Sequence, residues 1–258
     1  MNHFDVGAGV QVLKTVTTHI VSCDDWVSRT SLVDEGVAIA VRGGDHALWL
    51  VSTTEVLAPD PARLRERAAL LGGPSADRAK VTLVKVTVAW PSDDVGATRP
   101  TPVDVTMPEV LVTHGAGVAA IAIDPSSSLA DHLAGQGQPH AIDIDRLWPV
   151  SRVAPESRLF VQSLFTEEDG RVWSTTRTTT LASRPSAGFG GRADLTALDL
   201  QLADDEQGCA VVVPDHPDVP CVGLTVRLRR GQGAMVPIDV VAEVINHKRS
   251  SPLISSHR

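Results

Sequence analysis

Apolar and polar residues alternate along this chain in short runs, and turn-forming residues separate the runs. From Gly36 the segment G-V-A-I-A-V leads into Gly43, Gly44 and Asp45 and returns as A-L-W-L-V-S, a β-hairpin by its turn chemistry. Residues 81–90 place Val84, Val86, Val88 and Trp90 on one face at period two, with Lys85 and Thr87 opposite. That spacing predicts a strand with one wet face. After a Pro-rich stretch, 91–108, two further strands are predicted over 109–113 and 117–124. The second half repeats the style, with apolar runs at 158–165, 171–182, 195–202, 209–213 and 221–228. At the start the alternation is modest, and Val10, Val12, Val16 and Ile20 predict no more than an edge strand or an arm.

Helical spacing is confined to two places. Asp60 and Pro61 open a stretch with Leu64, Ala68 and Leu71 on one side and two glycines at its end, a short amphipathic helix. Near the end, Pro237 and an Asp239 cap predict a closing helix. Many short strands and few helices define an all-β fold, and two halves of similar strand number predict two six-stranded β-barrels packed together. The expected layout is an N-terminal arm over 1–35, a first barrel over 36–125 and a connection over 126–150. A second barrel over 151–238, the helix over 239–248 and a loose polar tail over 249–258 complete it.

Composition narrows the function classes. The 258 residues are 43% hydrophobic, enough for a core, and the formal charge is −8. Basic residues are dispersed, so a nucleic-acid surface is not expected. No apolar run reaches the ~18 residues that suggest a membrane span, and no secretory signal is read at the start; a cytoplasmic protein is expected. The histidines show no metal-ligand spacing, and no metal or cofactor is expected. Of the three cysteines, Cys209 and Cys221 are sterically conceivable partners in a single bridge.

The chemistry-bearing stretch is L-A-D-D-E-Q-G-C-A-V-V-V at 202–213, followed after a Pro-rich turn by C-V-G-L-T-V-R. A polar turn ending in Gly208 feeds an apolar strand, and a second strand carries Gly223. This resembles the nucleophile loop of the trypsin-like (chymotrypsin-fold) serine peptidases, which reads G-D-S-G-[GS]-P-V, and in particular the bacterial high-temperature-requirement branch. Two further segments carry the resemblance in the right order. L-V-S-T-T-E-V-L at 50–57 stands where the family has [LV]-[TS]-A-x-H-V-[VL], and G-V-A-A-I-A-I at 117–123 where it has D-[IL]-A-[LV]-[LI]-x-[LV]. V-A-P-E-S-R-L-F-V-Q-S at 153–163 and M-V-P-I-D-V-V at 235–241 match weaker family patterns.

What the resemblance implies is a fold without its chemistry. Glu55, Gly117 and Gln207 occupy the positions of the catalytic His, Asp and Ser. An amide is not a nucleophile, glycine has no side chain to orient a base, and a solvated carboxylate is a weak one. Asp205 stands where the family keeps an oxyanion-hole glycine, and Gly208 keeps the glycine that follows the nucleophile. The bland alternatives are a surface carboxylate for Glu55 and, for Gln207, a turn residue that hydrogen-bonds nearby backbone. The expectation is a pseudoprotease that binds a protein or peptide partner. A second possibility is a hydrolase using Cys209, if the loop slides so that Q-G-C-A mimics a cysteine-protease motif; a third is an interaction module whose surface lies at 60–71 or 91–108. His114, just before the 117–124 strand, is a further residue that a cleft could recruit.

Overall fold

The structure is a computed structural model that describes residues 12–23, 29–73, 79–91, 102–105, 110–112, 117–134, 141–182, 195–216, 219–242 and 245. Two curled sheets, antiparallel except where β8 joins, make up the described residues, as the alternation predicts. The first holds β1 (Val12–Ser22), β2 (Arg29–Arg42), β3 (Leu48–Thr53), β4 (Lys80–Ala89), β5 (Val103–Val105), β6 (Val110–Val112), β7 (Val118–Ala122) and β8 (Ile142–Asp143). Its order is β5-β4-β1-β2-β3-β7-β6, with β8 beside β2. The second contains β9 (Leu159–Thr166), β10 (Val172–Thr179), β11 (Thr196–Gln201), β12 (Ala210–Val212), β13 (Cys221–Arg227) and β14 (Gln232–Pro237), in the order β10-β9-β12-β13-β14-β11. Asp199 N–H donates to Thr180 O at 3.1 Å and Ala182 N–H to Ala197 O at 3.0 Å, and these bonds join the end of β10 to β11 and close the second barrel.

Strands at the junction are buried on both faces, and their sequences show it. Val37, Ile39 and Val41 of β2, Trp49 and Val51 of β3, and Val118 and Ala120 of β7 pack in one cluster with the core of the second barrel. Ala38, Ala40, Leu50, Ala119 and Ile121 lie on the opposite faces, inside the first barrel. Hence these strands read as unbroken apolar runs, whereas one-sided strands alternate.

Helix α1 (Thr54–Leu57) follows β3 directly, and α2 (Pro61–Leu70) comes next, its N-cap Asp60 accepting from Ala62 N–H at 2.9 Å. Leu64 and Ala68 of α2 cover Val21 and Leu32. A third helix, α3 (Ser128–Ala134), seals the first barrel by packing Leu129, Ala130 and Leu133 against Val86, Val88 and Val105.

Several expectations are corrected. Residues 12–22 are no arm; they form β1, paired with β2 on one side and β4 on the other. Its weak signal has a physical cause, because the apolar Val16 and Ile20 lie on the half-exposed face while the buried face carries Thr15, Thr17 and His19. Those threonine hydroxyls are satisfied within the fold, Thr17 Oγ1 donating to Val56 O at 2.9 Å. In β4 the register shifts opposite Thr18 and His19, which pair with Lys85 and Leu83 and skip Val84. The skipped Val84 is 46% exposed although it stands at period two with buried Val86 and Val88. Gln232–Pro237 is a strand, so Pro237 ends β14 rather than opening a helix, and helical residues begin at Asp239, where the closing helix is expected. The expected connection contributes α3 and β8, and residues 1–11 and 249–258 lie outside the described residues.

The bulge gives a direct test. Val84→Asp is expected to change stability by less than about 0.5 kcal/mol, and Val86→Asp to remove the folded transition in urea, since it buries an unpaired carboxylate. His19 gives a second. Burial lowers its pKa below 6.5, more than the opposing pull of Asp34 restores. The folded protein then takes up a proton less readily than the unfolded chain. This contribution is complete above about pH 6.5 and is lost as pH falls from there through the folded pKa. Urea midpoints measured across that window are expected to drop in the wild type and to flatten in His19→Gln.

Candidate functional site

The segments singled out by the sequence meet at the barrel junction. Glu55 sits on α1, whose backbone is fastened from two sides. Thr54 N–H donates to Gly117 O at 2.9 Å, and the Thr17 hydroxyl holds Val56 O. Gly117 itself is in the left-handed region at φ 71°, a conformation that glycine adopts without strain. From the second barrel the 202–209 segment reaches across, and Val37 N–H of β2 donates to Gln207 O at 2.8 Å. Gly36 lies between the two: a Cβ there would stand 3.1 Å from Gln207 O and collide with Val56. Glu55, Gly117 and Gln207 are thereby brought to one end of the junction, through backbone contacts.

Gly208 is the tightest point. Its φ is 80°, and a Cβ would overlap Val37 O and Ser52 Oγ. Ser52 is buried and its hydroxyl donates to Val37 O at 2.5 Å, so one residue of β2 is gripped on its N–H by the loop and on its carbonyl oxygen by β3.

Behind this contact the loop is held by side chains. Glu206 is buried; its carboxylate accepts from Arg177 Nη1 at 2.8 and 2.6 Å and from Ala203 N–H at 2.7 Å. Arg177 Nη2 also donates to Gln201 O at 2.8 Å. Thr225 Oγ1 donates to Glu206 O at 2.5 Å and accepts from Cys209 N–H at 2.9 Å. Arg227 Nε donates to Leu202 O at 3.0 Å while its guanidinium pairs with Asp204 at 2.5 Å. Arg177, Ser52, Thr225 and Arg227 were not singled out from the sequence, because each acts through main-chain groups far away along the chain.

The chemistry available is limited by where the reactive atoms go. Gln207 Oε1 accepts from Arg227 N–H at 3.0 Å, the bland alternative for that residue. Asp205 is exposed. Glu55 is half-buried, takes the Thr54 hydroxyl at 3.3 Å, and lines a crevice of about 520 Å³ with Asp34, Asp60, Arg63 and Arg67. Cys209 is completely buried, and desolvation pushes its thiol up to about 12, outweighing hydrogen bonds with Ser163 and Thr225. A thiol so buried stays protonated at neutral pH. Cys209 faces Thr225 across the hairpin whereas Cys221 faces Val212, so no bridge joins the two cysteines. His114 and most of 91–108 lie outside the described residues. Among the described residues no group of three or more His, Cys, Asp or Glu is placed to hold a metal, and no helix is long and apolar enough to cross a membrane.

No protein-family model matches the chain, and no curated protein does. Solved structures do. A variant of the HtrA-type protease AlgW with a decapeptide superposes at a TM-score of 0.55 and 13% identity, over 93% of this chain and 64% of that one. AlgW itself with a decapeptide gives 0.54 and 14%, over 94% and 66%. Deg5 gives 0.53 and 10%, over 95% and 90%. The chain thus spans under two thirds of the AlgW chains. The likeness shows a trypsin-like double-barrel fold with HtrA- and Deg-type proteases as its structural neighbours.

Gly208→Ala is expected to cost at least about 2 kcal/mol in urea unfolding, because it combines strained φ with overlap against β2. Ellman's reagent is expected to titrate the half-exposed Cys23 in the native protein and to reach Cys209 and Cys221 only in denaturant.

Proposed function

We propose that this chain is a catalytically inactive trypsin-like domain that works by holding an extended peptide or protein segment at the barrel junction. The observation that carries the reading is the fate of Gln207. It stands at the position of the family's nucleophile, and its side chain is spent as a main-chain acceptor for Arg227. The other positions agree with this. Gly117 has no group to orient a base, Glu55 is a carboxylate on the helix where the family places an imidazole, and the nearest thiol is buried and protonated. Acyl transfer needs a nucleophile, a base and an oxyanion hole together, and exposed Asp205 would oppose the charge such a hole must stabilise.

A framework that keeps both barrels and the junction retains a means of binding, since extended peptides add to strand edges through main-chain hydrogen bonds. The structural neighbour AlgW is described with a decapeptide, which supports a peptide as the occupant here. A second reading, with the partner docking outside the junction, is favoured by one feature. Leu70 and Leu71 at the end of α2 are 87% and 69% exposed. Leu70→Ser with Leu71→Ser would abolish partner capture under that reading and leave it unchanged under the first.

The test is a diverse peptide library incubated with the protein and read by mass spectrometry. Intact peptides, with a subset retained on the immobilised domain, are expected. Cleavage by the wild type that disappears in Glu55→Gln or Gln207→Ala would overturn the inactive reading.

A further inference from the structure

The edge of β13 that faces β12 changes character where β12 begins. Gly223 and Thr225 present their main-chain groups to that side, and Thr225 N–H donates to Cys209 O at 2.9 Å while its carbonyl accepts from Gly208 N–H at 2.9 Å. Strand β12 starts at Ala210, so the next main-chain donor on this edge, Arg227 N–H, has no strand opposite it. A side chain closes the position, Gln207 Oε1 at 3.0 Å. On the opposite edge β14 pairs with β13 as far as Arg227 and Gly233. The Arg227 side chain turns back over the same loop to reach Leu202 O and Asp204. The loop therefore seals a strand edge using side chains where the rest of the sheet uses backbone.

We propose that the Gln207 amide is an internal stopper on the β13 edge, and that its displacement opens Arg227 N–H to an added extended peptide. This rests on the peptide-holding reading and adds its regulation. A side-chain amide is easier to displace than a paired strand, because one rotamer change frees the donor while the loop backbone stays on Val37 and Thr225. The incoming segment would meet the carboxylate of exposed Asp205, beside the Asp204 carboxylate that Arg227 already pairs, so one carrying an arginine is the complementary partner.

The probe is a fluorescein-labelled, proline-free peptide containing arginine, followed by anisotropy, with hydrogen exchange of the Arg227 amide measured alongside. Gln207→Ala is expected to bind it about tenfold more tightly than the wild type, the size of one net hydrogen bond removed from competition. Gln207→Glu, which keeps the acceptor oxygen, is expected to keep the Arg227 amide protected as in the wild type. The Arg227 amide should exchange faster in Gln207→Ala and regain protection when peptide is added. Gln207→Asn, one methylene shorter, serves as the opened variant should the alanine protein not fold. Equal affinity of wild type and opened variant would overturn the stopper and leave peptide binding standing. Absence of binding in every variant, with the Arg227 amide shown to be free, would overturn both.

Discussion

The structure depends on one residue of β2, Val37. The N–H of Val37 donates to the Gln207 carbonyl and its oxygen accepts from Ser52, so the second barrel's loop and the first barrel's third strand hold the same strand. The contact is possible only because Gly36 and Gly208 leave room on either side of it. A main-chain bond in this dry setting is worth little net when made but costs a full desolvation when broken. It therefore fixes the relative placement of the barrels more than it raises their stability.

Around that contact the two barrels share a core, and the shared core removes the freedom that separate domains would have. Strands β2, β3 and β7 are covered on both faces, so sliding one barrel over the other would expose apolar side chains such as Ile39, Val51 and Ala120. The loop at 202–209 is held by the buried Glu206 carboxylate, which Arg177 neutralises. Breaking such a pair on one side leaves an uncompensated buried charge, so Arg177 and Glu206 stand or fall together. The result is a loop held firmly at the junction from both barrels.

Much of the fold was legible in the chain. The run G-V-A-I-A-V and its return as A-L-W-L-V-S announced the hairpin of β2 and β3, and the Asp60-Pro61 start announced α2. What misled the reading was polar burial. β1 hides Thr15, Thr17 and His19 on its inner face, and a hydrophobicity pattern reads that face as the wet one. The bulge at Val84 belongs to the same class, because the alternation in β4 is intact and only pairing with β1 breaks it.

The sequence by itself determined the two-barrel class, the run of strands and the residue types, Glu55, Gly117 and Gln207 among them, that the chain brings to the junction. Residue types are local facts, read directly from the chain. Tertiary structure alone decided where those side chains are spent. The Gln207 amide meets Arg227 twenty residues on, Glu206 meets Arg177 from another strand, and the Cys209 thiol is carried into the core. Each depends on strand register across the sheet, and register is set by the cooperative packing of distant segments, which no single stretch of chain encodes.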